Sequence, residues 1–220
     1  VGFYPFITLL SKVLLMENTK LYQEDLASVR SMMEKSSKFI SFSGLSGMLA
    51  GLYAILGAGF VYVKISRPSG TLTAETSLPS ADITLLLATA LAVLAASVLT
   101  GYLFSAHKAR KHGVSFWTAT TRHLLINLSI PLLCGGLFSG ILLAQGYFTL
   151  IAPVLLIFYG LALLQASTNL YDEIRYLGYS EIFLGLVCTL SPSYSLLLWA
   201  LGFGVLHMIY GALMYRKYDR

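Results

Sequence analysis

ASTNLYDEIRYLGYSEIFLGLVCTL, from Ala166 to Leu190, is the stretch whose reading decides the fold. Its neighbours are long apolar runs with almost no charge, whereas this one carries Asp172, Glu173, Arg175 and Glu181. From Tyr176 onward apolar types dominate as far as Leu190. Those residues span about 22 Å as a helix, short of the ~30 Å hydrocarbon core. A crossing therefore has to begin near Tyr171 or to be joined to its predecessor by a bend at Gly178. Both alternatives keep Glu181 within the crossing, close to its polar edge, where an ionisable group is costly and faces protein rather than lipid.

The composition fits that reading. Hydrophobic residues make up 56% of the 220-residue chain and charged residues only 11%. Ordinary soluble domains carry about 25% charged residues. Transmembrane barrels alternate apolar and polar residues in short strands, a pattern missing here. The expectation is an all-α polytopic membrane protein, a bundle of six transmembrane helices. The crossings are expected at 39–63, 83–106, 124–144, 147–166, 171–190 and 194–215.

Ahead of the first crossing lie two further segments. Residues 1–15 are apolar but too short to span, and they lack a basic n-region or a cleavage site. Met16 reads as the start, with residues 1–15 as an upstream extension or, alternatively, an interfacial anchor. Residues 16–38 are expected to form an amphipathic cytoplasmic helix. Tyr22, Leu26, Val29 and Met33 recur at helical spacing, with Glu24, Asp25, Arg30 and Glu34 between them.

Basic residues set the orientation. Counting Lys and Arg from Met16 through successive loops to the tail gives four, two, four, zero, one, zero and three. Positive charge is retained on the cytoplasmic side, so both termini are expected there. Lys108, Arg110 and Lys111 form a cationic loop patch suited to anionic lipid head groups. The net charge of +5 is thus a topology signal, with no nucleic-acid partner implied. Asp172, Glu173 and Arg175 form a charge cluster at the cytoplasmic edge.

Candidate chemistry inside the membrane is sparse. Ser43, Gly47, Gly51, Ala54 and Ala58 in the first crossing, and Gly136, Gly140 and Ala144 in the third, are small residues at helical spacing that permit close helix contact, within one chain or between copies. Gly44-Leu45-Ser46-Gly47 has the GxSG form found around the nucleophile of rhomboid intramembrane proteases, and His207 lies in the last crossing. Rhomboids carry that serine in a later helix, so the resemblance fails on topology. Asn127, Glu181 and His207 are polar residues within crossings. Asn127 stands four before Pro131, where the helix loses a backbone bond. Glu181 shares a face with Gly178, Gly185 and Cys188, and His207 with Gly204 and Gly211, so both should point inward. A buried cluster of Glu181 and His207, with Asn127 as third member, is expected, as a packing device or as a proton or substrate site. Cys134 and Cys188 read as small hydrophobes. No metal or cofactor motif is present, and a metal site at His107, His112 and His123 would have to assemble among cations.

The string EDLASVRSMMEKSSKFISFSGLSG, Glu24 to Gly47, and the segment EIRYLGYSEIFLGL resemble a family of uncharacterised small bacterial six-helix inner-membrane proteins. That resemblance implies a bacterial inner membrane and brings no activity or site residues. The functional expectation is a regulatory, sensory or partner-binding membrane protein. The alternatives are a small-molecule or proton-coupled transporter and, third, an intramembrane enzyme. Reporter fusions at Arg220 and within residues 69–80 should report opposite sides of the membrane; the same side for both would break the six-crossing map.

Overall fold

The computed structural model describes residues 22–23, 25–29, 44–65, 80–111, 116–117, 119–167 and 172–218. Among these no strand occurs. The chain divides into two units, Val1–Phe39 and Ile40–Arg220. In the first, residues 25–29 are helical, and Ser28 Oγ donates to the Asp25 carbonyl at 3.1 Å. Tyr22, Leu26 and Val29 are exposed there. The rest of the expected surface helix, and all of residues 1–15, lie outside the described residues.

Among its described residues the second unit has six helical segments: α1 (Gly44–Ile65), α2 (Ser80–Lys111), α3 (Ala119–Ala144), α4 (Phe148–Ser167), α5 (Asp172–Leu190) and α6 (Pro192–Tyr218). Five of them, all but α5, are long and apolar enough to cross a membrane. The charges of α5 set it apart, yet it is one unbroken helix of 19 residues. It begins beside Tyr171 and does not bend at Gly178.

Two expected boundaries shift. The stretch around Lys108 was expected as a loop, but α2 continues through Lys111. Three basic side chains in a last turn complement the negative end of the helix dipole, which favours the extension. The last crossing is not uniform: after a 3-10 turn and a short α segment (Ser195–Ala200), residues Leu201–Leu206 form a π-helix before α geometry resumes at His207.

Glycines decide which helices touch. A β-carbon at Gly211 of α6 would lie 2.6 Å from Met48 N and 2.8 Å from the Gly44 carbonyl of α1. A β-carbon at Gly160 of α4 would lie 2.6 Å from the Gly178 carbonyl of α5, and one at Gly178 would lie 2.9 Å from the Gly160 carbonyl. Backbone meets backbone in both antiparallel pairs, the arrangement that small residues allow and that dispersion rewards. The most extensive packing joins α4 to α5; α3 lies against α4, α2 against α1 and α1 against α6, and α6 also touches α4 and α5. Tyr53 and Thr100 link α1 to α2 at 3.3 Å.

The tight link between α3 and α4 is set by Gly146, whose φ of 82° lies in the left-handed region. Gly146 N–H donates to the Leu143 carbonyl and Tyr147 N–H to the Leu142 carbonyl, which together close the helix end as a Schellman cap. Within the chain, the small-residue stripe expected on α3 is not the face that meets α4. Gly136 and Gly140 face open space, while Gly135, one residue over, sits against Phe158 of α4. Gly135, Ser139 and Leu142 carry that contact face.

Pairwise antiparallel helices gather charge at one end. Of the described Lys and Arg residues, Lys108, Arg110, Lys111, Arg122, Arg175, Arg216 and Lys217 lie at or near helix ends that share one side of the bundle, and Lys64 lies at the other. Exposed Tyr62, Tyr147 and Tyr194 sit at the Lys64 end. An apolar cluster of Leu163, Ile174, Leu177 and Met214 fills the space between α4, α5 and α6 on the basic side.

Replacing Gly211 by Ala should destabilise the purified protein by about 1–3 kcal/mol, the usual cost of overpacking. Gly136→Ala and Gly140→Ala should change stability by no more than about 0.5 kcal/mol. Thermal unfolding in detergent checks all three; equal effects would remove the glycine contact from the account.

Candidate functional site in the bundle interior

Glu181 is fully buried, an unusual state for a carboxyl group. It lies nine residues from Asp172, so about 13 Å along α5 from that end. His207 lies nine residues before Arg216, so about 13 Å along α6 from the same end. Equal depth and facing glycines bring the two together: His207 Nδ1 stands 3.4 Å from Glu181 Oε1. Gly202 makes room for the acid, because a β-carbon there would lie 2.6 Å from Glu181 Oε2 and 2.6 Å from Leu156 Cδ2.

The imidazole is held from two sides. Its Nδ1 lies 3.0 Å from the Gly202 carbonyl, and its Nε2 lies 2.7 Å from Tyr159 Oη on α4. A carbonyl only accepts, so Nδ1 must carry a hydrogen. In the neutral ring Nε2 then accepts from the Tyr159 hydroxyl. At the end of the π segment the His207 backbone N–H goes to the Gly204 carbonyl, and it is the His207 side chain that takes the carbonyl of Gly202. Phe203 stacks on the imidazole at 6.0 Å and also meets Tyr159 at 5.0 Å, so the ring is fixed by packing as well as by hydrogen bonds.

Glu181 is held differently. Neither carboxyl oxygen has a hydrogen-bond partner among the described residues. The 3.4 Å approach to His207 has the distance of an ion pair without the alignment of a hydrogen bond, since the Nδ1 hydrogen points at Gly202. Apolar groups close both sides of the cluster along the helix axes. Leu163, Leu177 and Met214 lie towards the basic end, and Leu156 and Cys188 towards the other.

The third member of this cluster is Tyr159 rather than Asn127. Asn127 is half-buried on α3, whose main packing partner is α4, and no described hydrogen bond joins it to Glu181 or His207. With both nitrogens engaged by Tyr159 and Gly202, His207 has none to offer Ser46, so the GxSG string gains no base from it. The place of Tyr159 follows from its neighbour Gly160, whose backbone meets Gly178, three residues before Glu181.

The other candidate groups lie nearer the ends. Asp172 pairs with Arg175 at 3.7 Å within the first turn of α5. Glu173 instead reaches across to α6, with Lys217 Nζ donating at 2.6 Å and Tyr218 Oη at 3.2 Å. Lys108 is half-buried, and Arg110 and Lys111 are exposed, in the last turn of α2. Cys134 is exposed and Cys188 buried, both as free thiols. Among the described residues no three His, Cys, Asp or Glu side chains converge as a metal site; His112 lies outside them.

Comparison with known proteins returns no family model, no curated protein and no solved structure that matches this chain.

In detergent, Glu181→Leu and His207→Leu should each lower the unfolding temperature, because each leaves a polar partner stranded. The double replacement should be more stable than the two losses summed, with a coupling of about 0.5–3 kcal/mol. Additive losses would mean that the two side chains do not interact.

Proposed function

We propose that the protein is a six-crossing membrane protein of a bacterial inner membrane, with both termini cytoplasmic, and that its role is sensory or regulatory. The segregation of seven described cations to one end of the bundle supports that orientation, since positive charge stays on the cytoplasmic side. The α5 helix is the fifth crossing in this reading, with Glu181 buried in the bundle and Glu173 paired to Lys217 of α6. Anionic head groups are the partners of Lys108, Arg110 and Lys111.

One observation carries the functional part: Glu181 is fully buried beside His207 with both oxygens unbonded. A group whose only duty was to lock helices together would have its hydrogen-bonding capacity satisfied, as buried polar groups almost always do. Leaving a carboxyl group unsatisfied in a dry site costs stability. An ionisable residue retained at that cost inside a membrane is a functional site by default. The apolar closure on both sides of the cluster favours sensing over throughput. Transport is the second reading, and the π segment at the depth of the cluster favours it, because transporters place their sites where helices depart from regular geometry.

The test compares cells lacking the protein with cells expressing Glu181→Gln, which keeps size and shape while removing the ionisable group. The substituted protein should accumulate normally yet reproduce the proteome changes of the deletion. A wild-type proteome in those cells would reduce the cluster to a packing element.

A further inference from the structure

We infer that Glu181 and His207 form a binding site for a single proton, held by the pair as a unit, with Tyr159 fixing where that proton can reside. The inference deepens the sensory reading and rests on it for its biological use, but the binding itself stands on the geometry alone.

The argument begins with the hydrogen already assigned. Nδ1 carries one, since it faces the Gly202 carbonyl at 3.0 Å. Two places remain for a further proton: a Glu181 oxygen, or Nε2 of His207. On Glu181 it makes a neutral carboxylic acid beside a neutral imidazole. On Nε2 it makes an imidazolium beside a carboxylate 3.4 Å away. Both forms contain the same atoms and the same net charge of zero. In the second, Nε2–H donates to Tyr159 Oη at the 2.7 Å separation already present, so the phenol serves as acceptor there and as donor in the first form.

Other occupancies leave a lone charge in the bundle. Without the proton, a carboxylate faces a neutral ring and an unbonded cavity wall. With two, an imidazolium faces a neutral acid. Either lone charge is disfavoured in a site closed by leucines, methionine and glycine. Among the described residues no other charged group faces the pair. From α4 the packed residue is Tyr159, from α6 His207 itself, and on α5 the next titratable group on the same face is the thiol of Cys188. Glu173 and Lys217 form their own pair at the basic end, and Tyr53 of α1 is turned to Thr100. Among the described residues the site therefore has no nearby fixed charge to stand in for the proton.

Occupancy is also coupled to the shape of α6. The Nδ1 hydrogen points at the carbonyl of Gly202, a residue of the π segment, while Glu181 Oε1 stands 3.4 Å from the same nitrogen. A carboxylate attracts that hydrogen more strongly than a neutral acid does. Losing the proton pulls Nδ1–H towards Glu181 and releases the Gly202 carbonyl from the imidazole. Proton binding is thereby linked to the geometry of one helix.

Infrared difference spectra of the full chain in lipid nanodiscs, taken across pH, test this directly. Bands that Glu181→Gln removes report the Glu181 carboxyl group. They should titrate in one step in the wild type, and His207→Asn should shift its midpoint by at least one pH unit, a tenfold change in proton affinity. Tyr159→Phe, which removes only the hydroxyl, should strengthen the carboxylic-acid band at a given pH, because the charge-assisted bond lost from the imidazolium form is stronger than the neutral bond lost from the acid form. An unchanged midpoint in His207→Asn, or an unchanged band in Tyr159→Phe, overturns the shared site. This outcome is separable from the cellular one: a shared proton with a wild-type proteome in Glu181→Gln cells would keep the binding site and discard the sensory role.

Discussion

A carboxyl group inside a helix bundle has to be neutralised by something, and much of this structure is arranged around how that is done for Glu181. A lone buried charge is disfavoured by several kcal/mol even after relaxation, so the partner has to be close and fixed. His207 is held 3.4 Å away by a carbonyl on one side, a phenol on the other and a stacked Phe203. The departure of α6 from α geometry, the absence of a side chain at Gly202 and the position of Tyr159 each follow from that requirement.

Glycine supplies the approach that makes this pairing geometrically feasible. The Gly160–Gly178 contact brings α4 onto α5, and the contact of Gly211 with the Gly44 to Met48 backbone brings α6 onto α1. Side chains of ordinary size at these points would hold the helices apart and leave polar groups stranded between them. The aromatic residues at both ends and the Glu173–Lys217 bridge at one end close a bundle whose outer faces stay apolar. Energy from backbone packing thus offsets the cost of a polar interior.

Much of this was legible in the chain. Apolar runs gave the helices because a membrane-length helix needs about twenty such residues, a demand that composition alone reveals. Glu181 and His207 were legible because each is flanked by glycines at three- and four-residue spacing, which marks the face. Their pairing was legible from depth. Tyr159 was overlooked because a tyrosine in an apolar run reads as packing until the helix it faces is known. Asn127 was chosen in its place for its polarity, but α3 packs chiefly on α4, so it never reaches the cluster. The π segment left no sequence trace beyond Gly202 and Gly204, since an extra residue in a helical turn is set by tertiary contacts rather than by propensity. Within the chain the α3 contact falls on Gly135 instead of Gly136, because a run of adjacent small residues fixes a helix face only to within that rotation.

The central claim is that Glu181 and His207 are paired within the bundle. A carbon–nitrogen dipolar coupling between Glu181 Cδ and His207 Nδ1, measured by solid-state magnetic resonance on the labelled full chain in lipid bilayers, tests it most directly. The structure calls for a strong coupling, in keeping with an oxygen–nitrogen separation of 3.4 Å. A sample in which the two nuclei show no coupling would contradict the pairing and every consequence drawn from it.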